Sequence, residues 1–125
     1  MGKSASPVPS KALSDIIVKG IEDKKGLGIL VLDLRDVESA ICDYFIISHG
    51  NTDKQVDAIA NSVVDHVRDA CGEKPWHEEG RQNNEWVLID YSNVVVHIFQ
   101  KDVRDFYKLE ELWADAHITP VEVSY

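Results

Sequence analysis

The chain has 125 residues, 44% apolar and 28% charged, with 22 acidic against 13 basic side chains and a net charge of −9. This length and mixture suit one ordinary soluble domain with its own core. Nothing approaches the roughly 18–20 consecutive apolar residues of a membrane span, Met1 to Ser10 lacks the apolar run of a signal peptide, and the acidic balance argues against a general phosphate-backbone binder. Cys42 and Cys71 lie in unrelated contexts, which fits a reducing cytoplasm.

Residues 1–10 read as a flexible leader, residues 11–118 as the domain and 119–125 as a tail. Leu13, Ile16, Ile17 and Ile21 recur at helical spacing, and Gly26 and Gly28 end that helix. Ile29 to Leu34 reads as a strand covered on both faces, and Tyr44 to Ser48 as a second strand. Thr52 and Gln55 form a capping box for a helix whose apolar stripe is Val56, Ile59, Ala60, Val63, Val64 and Val67. Gly72 stops it. Gly72 to Glu85 reads as a polar loop. Trp86 to Tyr91 and Val94 to Gln100 form a hairpin about the turn Ser92-Asn93. A last helix is predicted from about Val103 to Ala116, with Phe106, Leu109, Trp113 and Ala116 as its apolar line and Pro120 closing it. The order α-β-β-α-β-β-α predicts one α/β domain with helices on a mixed, four-stranded sheet containing at least one parallel pair.

Charge is uneven along the chain: residues 1–28 carry net +2, residues 29–100 net −8 and residues 101–125 net −3. Such a body repels nucleic acid and suits a basic protein partner.

The two-residue turn sets the hairpin register and separates two faces. One carries Val87, Ile89, Val94, Val96 and Ile98, with Tyr91 at its end, and suits helix packing. The other carries Trp86, Leu88, Asp90, Val95, His97 and Phe99, a mixture of aromatic anchors with few polar groups that resembles an interface centre. The alternative is a second core face covered by another helix, with Trp86 and Phe99 as a buried cross-strand pair.

Motifs for chemistry are sparse. The five histidines and two cysteines show no metal spacing, and no nucleophile elbow, P-loop or dinucleotide fingerprint occurs. Asp33, Asp43 and Asp90 on or beside neighbouring strands could hold Mg²⁺ for phosphoryl transfer. The turn Ser48-His49-Gly50-Asn51-Thr52 could offer an anion nest. The simpler reading is strand-end acids that solvate or cap.

The strings Asp43-Tyr44-Phe45-Ile46-Ile47-Ser48, Gly50-Asn51-Thr52-Asp53-Lys54-Gln55-Val56, Glu79-Gly80, Trp86-Val87-Leu88-Ile89-Asp90-Tyr91, Val95-Val96-His97-Ile98-Phe99 and Arg104-Asp105-Phe106-Tyr107-Lys108-Leu109-Glu110-Glu111-Leu112-Trp113 follow one another as in the ribosomal silencing factor (Iojap-like) family, which the chain resembles over about residues 11–117. The resemblance implies a nucleotidyltransferase-like fold without known enzyme activity or cofactor. It implies binding to the large ribosomal subunit through its basic L-fourteen protein, which excludes the small subunit and represses translation, with a role in subunit assembly among mitochondrial relatives. A homodimer, little direct nucleic-acid binding, no membrane contact and a cytoplasmic location belong to the same picture. The expected partner contacts are Trp86, Leu88, Asp90, Tyr91, His97 and Phe99, with Asp90 pairing a basic side chain. Ser92-Asn93 stands where the family commonly has Gly-Asp. On the last helix, Arg104, Tyr107, Leu109, Glu110 and Trp113 are expected to be mainly structural, with Glu110 holding Arg104.

Overall fold

A computed structural model describes residues 8–125. The predicted leader lies outside the described residues over its first seven positions. From Val8 onward the chain is part of the fold: Val8 packs against the core, and α1 already begins at Ser10.

The elements in chain order are α1 (Ser10–Asp23), β1 (Leu27–Asp33), β2 (Tyr44–Gly50), α2 (Asp53–Cys71), β3 (His77–Glu79), β4 (Trp86–Asp90), β5 (Val94–Gln100), α3 (Lys101–Tyr107), α4 (Leu109–Leu112) and β6 (His117–Pro120). They build one sheet of six strands in the order β3-β4-β5-β2-β1-β6. The parallel pair is β2–β5, and every other pairing is antiparallel. The predicted α/β class, mixed sheet and parallel pair therefore hold, while the expected count of four strands is corrected. Both additional strands are short and lie at the edges. His77–Glu79 has no apolar alternation, and His117–Pro120 ends in a proline, so neither carries the pattern of a half-buried strand.

Two cores form, one on each side of the sheet. On the first side, α1 contributes Leu13, Ile17 and Ile21, and α2 contributes Val56, Ile59, Ala60, Val63 and Val67. They pack on Val87, Ile89, Tyr91, Val94, Val96 and Ile98 of the hairpin. The helices touch closely at Gly20, where a Cβ would stand 3.0 Å from the Val63 Cα. There Ser62 Oγ also donates to the Gly20 carbonyl at 2.7 Å.

The local signals of α2 are realised. Thr52 accepts from the Gln55 N–H at 3.1 Å, and Gln55 Oε1 reaches back to the Asn51 N–H at 2.8 Å. Gly72 takes φ +70 and ends the helix. The backbone donors considered for an anion nest are thus partly used by the cap itself. Gly28, expected to end α1, instead forms the bulge of β1 at φ +55.

The tail is docked as well. Thr119 and Pro120 lie in β6, the Val121 N–H donates to the Ile29 carbonyl at 2.9 Å, and the Tyr125 hydroxyl donates to the Gly26 carbonyl. Among the described residues no helix is long and apolar enough to cross a membrane.

Candidate partner-binding face

The β4–β5 hairpin has the register its turn requires. Trp86 opposes Phe99, Leu88 opposes His97 and Asp90 opposes Val95. The Tyr91 N–H donates to the Val94 carbonyl at 2.9 Å. The turn itself is shaped by side chains. Ser92 adopts φ +80, and its N–H donates to Asp90 Oδ1 at 2.6 Å. Asn93 Nδ2 donates to Ser10 Oγ at 2.8 Å, and Ser10 in turn donates to the Asp43 carboxylate. The Ser92-Asn93 pair thus ties the hairpin tip to the start of α1. Asp90 thus shapes the hairpin turn through one carboxylate oxygen.

The second face of the hairpin is partly covered. Phe99 is fully buried, Val95 is buried beneath the α3–α4 segment with Leu109, and Trp113 packs alongside. Trp86 and Leu88 are only partly buried. The face is therefore divided between interior and surface. Phe99 and Val95 are core, and Trp86 and Leu88 reach the surface. Tyr91 points into the first core with its hydroxyl buried and unpartnered, and His97 is 4% exposed. Tyr91, His97 and Phe99 are thus all buried beneath the hairpin surface. β5 is central and covered on both sides, so alternate residues find an interior whichever way they point.

Aromatic rings run from the interior to the surface. Phe45 meets His97 edge-on at 4.8 Å and Trp113 at 5.4 Å. Trp86 lies 4.9 Å from Phe99 and 5.0 Å from Tyr107, and Tyr107 lies 5.0 Å from Phe106. Trp86 Nε1–H donates to His97 Nδ1 at 3.1 Å. Burial disfavours the charged imidazolium and pushes His97 down to about 4.

The last helix differs from its prediction. Lys108 takes φ 47, ψ 53, breaking the run into α3 and the single turn α4. The break turns Leu109 inward but leaves Phe106 79%, Tyr107 52% and Leu112 75% exposed. The sequence reading misses this exposure, because one continuous helix puts Phe106 and Leu109 on the same buried stripe. No glycine or proline marks the break; only the left-handed Lys108 does.

Arg104 anchors this segment. Its Nη1 donates to the Gly28 carbonyl at 2.7 Å and meets His49 Nδ1 at 2.8 Å. The Glu110 carboxylate also favours the charged guanidinium electrostatically, although among the described residues its Oε1 is buried without a hydrogen-bond partner. Burial, then the adjacent guanidinium, hold His49 below its ordinary range, and because a guanidinium only donates, Nδ1 is the acceptor of this contact.

The three strand-associated acids do not converge. In the order β4-β5-β2-β1, Asp90 lies three strands from Asp33, roughly 14 Å at the usual inter-strand spacing. Asp33 is held by Arg35 through two contacts of 3.0 and 2.7 Å, which keeps its carboxyl below the usual range. Among the described residues no three His, Cys, Asp or Glu side chains gather as metal ligands. A cavity of about 560 Å³ between α1 and the β1–β6 edge is lined by Lys11, Asp15, Asp33 and Arg35, whose charges already pair with one another.

Three of the six strings of the resemblance lie together on the hairpin and the α3–α4 segment, and comparison with known proteins agrees with the resemblance. The model of the family described as "Ribosomal silencing factor during starvation" matches residues 7–124. The chain belongs to the ribosomal silencing factor family. Ribosomal silencing factor RsfS of Bacillus subtilis is 42% identical over 112 residues, covering 90% of this chain and 93% of that protein. A Chromobacterium violaceum protein of known crystal structure superposes with a TM-score of 0.81 at 33% identity, over 94% of this chain and 92% of that one. A more distant ribosomal silencing factor relative, the mouse protein named mitochondrial assembly of ribosomal large subunit protein 1, is 26% identical over 87% of this chain and 48% of its own length.

Proposed function

We propose that this chain binds the large ribosomal subunit through a basic ribosomal protein of the L-fourteen type and, by occupying that site, blocks joining with the small subunit. The observation that carries the reading is the exposed rings of Phe106 and Tyr107 in contact with partly buried Trp86, with exposed Leu112 on the following turn, in a chain of net charge −9. An apolar centre in an acidic body fits a basic protein surface better than nucleic-acid phosphates. The silencing factor names of the bacterial relatives point the same way. In this reading Trp86 and Leu88 supply the anchor, Phe106, Tyr107 and Leu112 extend it, and His97, Phe99 and Tyr91 hold the hairpin beneath. The protein works by occlusion, in the cytoplasm and without catalysis.

A second reading, assembly of the large subunit without silencing, is favoured by the name of the mouse relative. The metal-dependent nucleotidyltransferase alternative is weakened by the separation of Asp33 from Asp90. A homodimer would use the same apolar face rather than strand-to-strand pairing. Because Val121 bonds inward to Ile29, Pro120 turns its backbone to the outer edge of β6, where it has no N–H to offer. The opposite edge, β3, is His77-Glu78-Glu79.

Purified protein mixed with isolated large and small subunits and sedimented under joining conditions tests the proposal. Comigration with the large subunit and fewer joined ribosomes is expected. Absence from the large-subunit fraction overturns it, and comigration with unchanged joining favours the assembly reading.

A further inference from the structure

Trp86 and His97 are diagonal neighbours on one face of the β4–β5 hairpin, their side chains joined by the indole Nε1–H···Nδ1 bond of 3.1 Å. We propose that His97 is a positioning residue: it sets the orientation of the Trp86 indole on the docking face and acts through that ring, without touching the partner. The inference rests on the ribosome-docking reading of this face and deepens it.

An indole N–H only donates, so Nδ1 of His97 is a bare acceptor and the ring carries its proton on Nε2. That Nε2 is buried and, among the described residues, has no hydrogen-bond partner. A buried, unpaired donor opposes folding, so an apolar side chain would suit the interior better. What His97 provides that an apolar residue cannot is the acceptor for Trp86. The histidine ring is itself fixed, edge-on to Phe45 at 4.8 Å and stacked with Phe99 at 6.4 Å. Among the described residues the indole's other contacts are apolar, with the rings of Phe99 and Tyr107 and the neighbouring core. Such contacts constrain its depth but select weakly among rotations about the terminal torsion. With Nε1–H committed inward, the indole offers the partner hydrocarbon surface and no donor. The recognition made at Trp86 is therefore apolar.

The test uses the full-length chain and isolated large ribosomal subunits, with four variants: Trp86→Phe, Trp86→Ala, His97→Leu and His97→Asn. His97→Leu fills the space without an acceptor, and His97→Asn keeps an acceptor at the δ position. His97→Leu is expected to be at least as stable as wild type at pH 7 yet to bind large subunits roughly five- to tenfold more weakly, the scale of one neutral hydrogen bond. It should also move the indole Nε1–H resonance of Trp86. His97→Asn should recover most of the affinity and the resonance. In the Trp86→Phe background, which lacks the donor, His97→Leu should change affinity little further. A folded His97→Leu with wild-type affinity, while Trp86→Ala binds weakly, overturns the positioning role and leaves the docking face standing. Wild-type affinity in Trp86→Ala overturns the docking face itself. Nitrogen-resolved NMR of the unmutated protein decides independently of any variant's folding: the His97 proton on Nε2 is expected, and a proton on Nδ1 overturns the proposal.

Discussion

The two sides of the sheet use the same strands but are finished differently. One side is closed by α1 and α2, with 14 and 19 residues, whose aliphatic stripes leave the hairpin residues Val87, Ile89, Val96 and Ile98 fully buried. The other is covered by α3 and α4, with seven and four residues. They bury Phe99 and Val95 but leave Trp86 and Leu88 only partly buried, and they carry exposed Phe106 and Leu112. Long amphipathic helices satisfy a sheet face completely, whereas two short turns cannot. The difference separates a fully closed side from one that keeps apolar surface exposed.

The sharpest way to break this comparison is to cut into each side in turn. Ile98→Ala, on the closed side, is expected to cost about 2–5 kcal/mol of stability because a cavity opens among fixed neighbours. Urea unfolding measures it, and a loss below 1 kcal/mol would show that side to be loosely packed. Trp86→Ala should weaken large-subunit binding about 30- to 1000-fold, equivalent to roughly 2–4 kcal/mol at an interface anchor. The double substitution Phe106→Ser, Leu112→Ser should also weaken binding while leaving stability within about 0.5 kcal/mol, as surface changes usually do. Equal stability losses from the Ile98 and the Phe106/Leu112 changes would erase the distinction.

Acid should act through buried histidine on the open side. His97 is held near 4, against 6.5 for an unconstrained ring, so above about pH 6.5 its neutrality in the fold carries no penalty relative to the unfolded chain. As pH falls from 6.5 towards 4 the unfolded chain takes up the proton first. Stability is then lost, on the order of 3 kcal/mol for this group. His49, also depressed, adds loss in the same direction. His97→Leu should flatten the decline in urea titrations between pH 7 and pH 4, and an unchanged slope would refute this origin. The smallest effect is expected at the α3–α4 junction. Lys108→Gly relieves a left-handed backbone and should raise stability by about 0.5 kcal/mol, offset in part by a freer unfolded chain.

Hydrophobic period, caps and the two-residue turn were sufficient to read α1, α2, the four central strands and the hairpin register. Each depends on interactions between residues close in the chain, and Thr52, Gln55 and Gly72 announce themselves by residue type. The edge strands β3 and β6 were not legible, since they join the sheet through backbone hydrogen bonds and bury little of their own side chains.

The sequence by itself determined that Trp86, Leu88, Asp90, His97 and Phe99 share one face, because strand alternation and turn length leave no other register. Tertiary structure alone decided which of them reach solvent. That outcome depends on where the short α3–α4 segment lands, and on Lys108 and Arg104, which direct it. A broken helix and a guanidinium clasping a bulge 76 residues away in the chain leave no periodic trace. Exposure is a property of what packs above a residue, and here the covering segment is placed by contacts distant in sequence.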